Sequence, residues 1–283
     1  MLSLRSVVET GHPRNETQFC APNEKLIING NSGIDFPFFN GGRGLMWEVV
    51  NQFGLNDWTD TNIVRDSTPG SSTRWRWDTN TPARANVADY TAVAITHISS
   101  GMNVGGSDFT VNYNFLEIYD IWVNHYWENA DNGNGKGKIW FIGTQARLDR
   151  PDYMGNVRRR HELWSMAQDQ SNIKRPADCP RVQLIPVYFA YQKIREDQET
   201  NDTPTATFFD DLYSDHFHQN DTGRYIHLVF YMACMYGVDP RNVTPQPQGL
   251  TLTLTESEYI RQVCYDVMHW TERHGVDVAA WDN

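Results

Sequence analysis

Cysteine is scarce in this chain. Four are spread over 283 residues, none in a Cys-x-x-Cys spacing, which argues against a ribbon-type zinc site or a thioredoxin-like redox pair. Cys234 and Cys264 lie in apolar helical patterns, where buried thiols belong. Cys20 and Cys179 leave a bridge between them open. Long apolar runs are missing too: no stretch nears the roughly 18 residues that a membrane-crossing helix needs, so no membrane span is expected. The opening stretch MLSLRSVVETGHPRNE is too polar for the apolar region of a signal peptide. Basic residues are few, 24 Lys and Arg against 35 Asp and Glu, for a net charge of −11. A nucleic-acid binder carries a basic face. The one basic cluster, Arg158-Arg159-Arg160, reads as a solvated helix face, so no nucleic-acid partner is expected. His125, His161, His227, His269 and His274 fall in helical patterns without ligand spacing, so no metal is assigned.

What is present is an alternating chain with 40% hydrophobic and 21% charged residues, the balance of a globular protein. Lys25 to Asn29 is a short, nearly continuous apolar run, as expected of a strand buried on both faces, and further strands are read at 62–65, 90–95, 139–142 and 182–187. Between and after them lie helical patterns. These are Leu45 to Phe53, Phe115 to Trp127, Val157 to Gln168, Tyr188 to Ile194 and Tyr225 to Tyr236, with Gly237 where a C-cap belongs. Thr255-Glu-Ser-Glu258 reads as a capping box that opens a last helix through Trp270. Strands alternating with helices predict an α/β fold, a central parallel sheet of about five strands between helical layers. The organisation reads as an N-terminal arm (1–23), one main domain (24–245) and a C-terminal helix packed on that domain (246–283).

In such sheets, sites form beyond the carboxyl ends of the strands. Ser32, in the tight turn after the first strand, sits where an exposed nucleophile would. Its own N–H can face a developing oxyanion. Gly70, in the Ser/Pro/Gly loop after the second strand, offers a second N–H with no side chain in the way, and an Asn side chain would make a third donor. Late in the chain, Asp215-His216-Phe217-His218 precedes a helix, and an Asp three residues before a His can orient that imidazole as a base. His216 reads as a surface residue. Ten tryptophans, among them Trp75 and Trp77, suit a sugar-binding cleft. Arg74 or Arg76 would meet an anionic group, and His97 reads as pocket lining or as structural.

Together these residues resemble the SGNH (GDSL-like) hydrolases. Gly30-Asn31-Ser32 matches the family's first block with Asn in place of the usual Asp. Gly70 matches the second, and Asp215-His216-Phe217-His218 the last. The run YSDHFHQNDTGRYI is similar to the family's Asp-x-x-His-x-Asn-x-x-Gly ending. The third block has no clean Gly-x-Asn-Asp, and Asn103 is the candidate for its Asn. The resemblance implies a flavodoxin-like three-layer α/β/α fold and a serine esterase. In it Ser32 is nucleophile, His218 base and Asp215 its orienter. Ser32, Gly70 and Asn103 form the oxyanion hole, and no cofactor is needed. It implies a secreted or periplasmic setting. The expected substrate is a small-molecule or glycan ester, acetyl foremost, with Trp75, Trp77, His97 and Arg74 as substrate-binding candidates. A non-catalytic carbohydrate-binding protein or a sugar acyltransferase on the same fold stays open. Oligomeric state is unread.

Overall fold

The computed structural model describes residues 19–21, 24–32, 50, 63–96, 113–149, 151–247 and 249–282. Five strands form one sheet: β1 (Leu26–Gly30), β2 (Ile63–Ser67), β3 (Ala92–Thr96), β4 (Lys138–Ile142) and β5 (Gln183–Ile185), in the order β2-β1-β3-β4-β5. Every pairing is parallel. This is the flavodoxin-like order, whose switch point lies where β1 meets β3. β1, β3 and β5 are buried along their whole length, as expected of parallel strands covered on both faces.

Besides a single turn at Pro82–Ala85, the α-helices among the described residues are α1 (Thr73–Asp78), α2 (Tyr113–Asn129), α3 (Tyr153–Lys174), α4 (Val187–Thr200), α5 (Asp221–Tyr236) and α6 (Leu254–Met268). α1 contacts α2, and α2 contacts α3, the layer that right-handed crossovers from β2 onward produce. α4, α5 and α6 contact one another, and β5 touches both α3 and α5, so the sheet is sandwiched. Aromatic rings fill the layer under α2. Tyr119 stands edge-on to Phe141 and to Trp164, at 4.7 and 5.2 Å between ring centres.

Several sequence expectations shift here. The capping box is Thr253 with Glu256, two residues ahead of the expected Thr255 and Glu258. Thr253 Oγ1 accepts from Glu256 N, and the Glu256 carboxylate accepts from Thr253 N. The TLTES-E run offers two overlapping boxes, and the burial of Ser257 and Ile260 selects the earlier one. The TRWRWD stretch, outside the helical patterns read from the sequence, is the short helix α1, capped by the Ser72 side chain. Tyr188 to Ile194 extends to the 14-residue α4. All four cysteines are free and buried, so Cys20 and Cys179 are not bridged. The helix expected at 45–53 lies outside the described residues, save for buried Val50. Among the described residues, no helix is long and apolar enough to cross a membrane.

The exposed edge of β5 is covered by the segment after α6. Leu184 N donates to Arg273 O at 2.9 Å, and Gln168 Nε2 donates to the same oxygen at 2.7 Å. Covering an edge in this way blunts strand-to-strand association. Next to it, His274 is fully committed as a neutral ring: Nε2 meets Met268 O at 2.8 Å, and Nδ1 accepts from Val276 N at 3.0 Å. Burial pulls its pKa down to about 4, and that of His227 on α5 down to about 3. The unfolded chain binds protons at these rings from about pH 6.5 downward, where the folded chain does not. Stability therefore falls as pH drops from about 6.5 towards 4, by up to about 1.4 kcal/mol per pH unit for each ring. Urea unfolding at pH 7 and at pH 5 is expected to show this loss, with a shallower fall in His274→Gln.

Candidate active site

The carboxyl ends of β1 and β2 and the loop before α5 meet in one place. β1 ends at Gly30, and Ser32, two residues on, is in helical conformation and half-buried. Its Oγ lies 3.0 Å from His218 Nε2. The other ring nitrogen, Nδ1, lies 2.6 Å from Asp215 Oδ2. Asp215 Oδ1 also accepts from the backbone N–H of Phe217 and of His218, at 2.7 Å each. One carboxylate therefore shapes the loop with one oxygen and holds the imidazole with the other. The bond from His218, with the two backbone bonds, lowers the Asp215 carboxyl to about 2, so it is ionised over the whole working pH range. A carboxylate facing Nδ1 keeps the proton on that nitrogen and leaves Nε2 free to accept from Ser32. The three residues named from sequence are thus within hydrogen-bond reach of one another, 186 positions apart in the case of Ser32 and His218.

The loop is held from below. Tyr213 and Gln219 form an antiparallel bridge. Ser214 N donates to His218 O at 2.8 Å, and Leu148 N, beyond β4, donates to His216 O at 2.9 Å. Gln145, fully buried after β4, donates through Nε2 to Phe217 O at 2.7 Å and accepts through Oε1 from Gln219 Nε2 at 2.7 Å. His227 Nε2 lies 3.0 Å from that same Gln145 oxygen. A buried amide network of this kind fixes one loop conformation, because each broken bond leaves a polar group stranded without water. The helix that follows is capped by Asn220, whose Oδ1 accepts from Gly223 N at 2.9 Å. Gly223 has to be glycine, since a Cβ there would stand 2.4 Å from Leu212 O. His216 is exposed.

Gly70 occupies the third position of a turn closed by Ser71 N donating to Thr68 O at 3.1 Å. Its φ of +73° is the left-handed conformation that the Pro69-Gly70 pair favours. Among the described residues no atom lies within 4 Å of where its Cβ would stand, and its N–H donates to none of them. Asn103 and His97 lie outside the described residues.

The three remaining candidates sit on α1. Trp75 is 46% exposed. Trp77 is turned inward instead: its ring stands edge-on to Trp122 at 5.2 Å and carries the Arg84 guanidinium at 4.2 Å, so what it supplies here is packing. Arg74 pairs with Asp78 at 3.0 Å on the exposed face. Arg76, expected to greet an anion, is completely buried and bonded to the protein's own oxygens. The Gln145–Gln219–His227 network and Asn29 were not singled out by sequence. Asn29 alone left a mark there, as a polar residue closing an apolar strand. Among the described residues, no group of three or more His, Cys, Asp or Glu is arranged to hold a metal ion.

No protein-family model matches the chain, and no curated protein does. Solved structures do. A DUF4886 family protein from Bacteroides uniformis superposes with a TM-score of 0.59 at 13% identity, over 87% of this chain and 95% of its own. An alpha/beta hydrolase enzyme from the metagenome of Lake Arreo superposes at 0.50 and 14% identity, over 76% and 95%. A mutant of an acetyl-xylooligosaccharide esterase from Geobacillus does so at 0.50 and 12%, over 76% and 95%. At these identities the likeness is one of fold, a parallel sheet between helices that a hydrolase and an esterase also use.

Proposed function

We propose that this chain is a serine esterase that removes a small acyl group, acetyl foremost, from a carbohydrate. The observation that carries the reading is the contact of Ser32 Oγ with His218 Nε2 at 3.0 Å, backed by Asp215 at 2.6 Å on the far side of the ring. The same arrangement on unrelated folds performs acyl transfer, and it is identified by geometry and roles. The position beyond the carboxyl ends of the strands supports it. The fold's likeness to an acetyl-xylooligosaccharide esterase agrees with the substrate class.

In the proposed reaction, Ser32 Oγ attacks the ester carbonyl carbon while His218 Nε2 takes the hydroxyl proton. The carbonyl π pair moves onto oxygen, and the N–H groups of Ser32 and Gly70 face that oxyanion. When the C–O bond to the alcohol breaks, His218 returns the proton to the departing oxygen and an acyl-Ser32 remains. Water repeats the sequence with His218 again as base, releasing the acid and restoring Ser32. Asp215 keeps its negative charge throughout and stabilises the imidazolium. The half-exposed Trp75, on the helix that follows the Gly70 turn, is the platform we assign to a sugar ring.

The test is turnover of p-nitrophenyl acetate, then acetate release from acetylated xylooligosaccharides. Both are expected in the intact chain and both lost in Ser32→Ala. Trp75→Ala is expected to raise KM for the glycan several-fold, as loss of one aromatic contact of about 1 kcal/mol predicts, while KM for p-nitrophenyl acetate stays unchanged. Binding of acetylated glycan without any acetate release would overturn the reading.

A further inference from the structure

We infer that Arg76 is a positioning residue for this reaction: its guanidinium ties the carboxyl ends of β1 and β3 to the Gly70 turn, and so sets the place of the Gly70 N–H relative to Ser32. The inference rests on the esterase reading above.

Arg76 has no exposed surface. Nε donates to Asn29 Oδ1 at 2.7 Å, on β1 three residues before Ser32. Nη1 donates to Ser71 O at 3.0 Å and to Ser71 Oγ at 3.1 Å, directly after Gly70. Nη2 donates to Thr73 Oγ1 at 3.3 Å and to Thr96 O, the last residue of β3. A guanidinium carries five N–H donors in a fixed plane, and these five contacts engage them all. The charge is answered through Asn29, whose Nδ2 donates at 2.7 Å to the buried Asp66 carboxylate. Asp66 Oδ2 in turn accepts from Ala83 N at 2.9 Å. Burial lowers the guanidinium to about 10, which leaves it charged at neutral pH.

A buried ion pair is a weak way to add stability, because desolvation offsets most of the attraction. What a guanidinium does supply is direction, since its planar fork fixes several acceptors at once. Here those acceptors are the backbone and side chains that carry the nucleophile and the Gly70 donor. The fork contacts none of the proposed reacting groups. Its loss should therefore show in the chemical step and leave substrate binding alone. A displacement of about 1 Å in a positioned group costs on the order of 10²-fold in rate.

The experiment compares the intact chain with Arg76→Lys and Ser71→Ala. Lysine keeps the charge but has three donors and no plane, so it cannot hold Asn29, Ser71 and Thr96 together. The readouts are kcat and KM for p-nitrophenyl acetate, the rate of Ser32 labelling by a fluorophosphonate, and the thermal midpoint. In folded Arg76→Lys, kcat and the labelling rate are expected to fall about 10- to 100-fold with KM within about twofold. Ser71→Ala, which removes one of the five acceptors, is expected to lose less, with the same split between kcat and KM. A folded Arg76→Lys with unchanged kcat and labelling overturns the inference. If Arg76→Lys does not fold, Ser71→Ala decides it, and an unchanged kcat there overturns it. An intact chain that neither turns over the ester nor is labelled at Ser32 overturns the esterase reading and this inference with it, an outcome distinct from a Ser32-dependent enzyme indifferent to Arg76.

Discussion

Alanine at Ser32 or at His218 is expected to lower turnover of an acetyl ester by on the order of 10⁴-fold or more. In the proposed reaction the first change removes the attacking oxygen. The second leaves the hydroxyl with no base, since the proton on Ser32 Oγ has His218 Nε2 as its acceptor at 3.0 Å. Because the two act as a unit, the double variant should lose scarcely more than either single one. Stability should barely change, for both side chains are only part-buried and their mutual contact borders solvent. Steady-state kinetics of the two single variants and the double, with thermal midpoints measured alongside, checks this. Additive losses, or losses that track the midpoint, would point to damage to the fold.

The second large effect is expected at Asp215→Asn. Asparagine keeps an Oδ1 that accepts from the Phe217 and His218 N–H groups, so the loop retains its turn. The other end of the side chain becomes an NH₂ facing His218 Nδ1. Two donors cannot share that contact, so the ring moves its proton to Nε2, where it opposes the Ser32 hydroxyl. The rate is expected to fall by about 10²- to 10⁴-fold, the wrong-tautomer effect. Stability should shift by no more than about 1 kcal/mol, because the carboxylate is 55% exposed and solvent screens its attraction to the ring. The sign with pH follows from its lowered value. Asp215 contributes whatever stability it has above the ordinary carboxylate range and loses it only as pH falls towards about 2. Asp215→Asn should therefore lower stability above pH 5 by a small, constant amount, leaving its pH dependence there unchanged, while activity falls at every pH. The acid-side loss of stability between pH 6.5 and 4 belongs to His227 and His274.

What was legible in the sequence was whatever is local. Four of the strands were visible as largely apolar runs and β2, whose Arg65 is exposed, only through its Ile63-Val64 pair; all five fall within a few residues of the expected positions. The α5 cap at Gly237 was visible because a left-handed residue ends the helix there. Ser32, Asp215 and His218 stood out because each sits at a strand end or helix start where polar residues have a reason to gather. Other features were hidden. The Arg76 hub takes its meaning from acceptors on β1, β3 and the Gly70 turn, 5 to 47 positions away, and an Arg between two Trp looks like a surface residue in one dimension. Gln145 carries no motif at all; its role exists only because β4 ends beneath the His218 loop. Trp77 looked like a sugar platform because composition does not reveal which face of a six-residue helix turns inward. The capping box slipped by two residues because two boxes overlap, and only burial chooses between them.

The proposed function turns on the activation of Ser32 by His218. The most direct measurement is labelling of the intact chain with a fluorophosphonate, followed by peptide mapping, with His218→Ala as the partner sample. A single label on Ser32 is expected in the intact chain, and none in folded His218→Ala at the same concentration and time. An intact, folded chain without label, or a label on Ser32 that persists in His218→Ala, would contradict it.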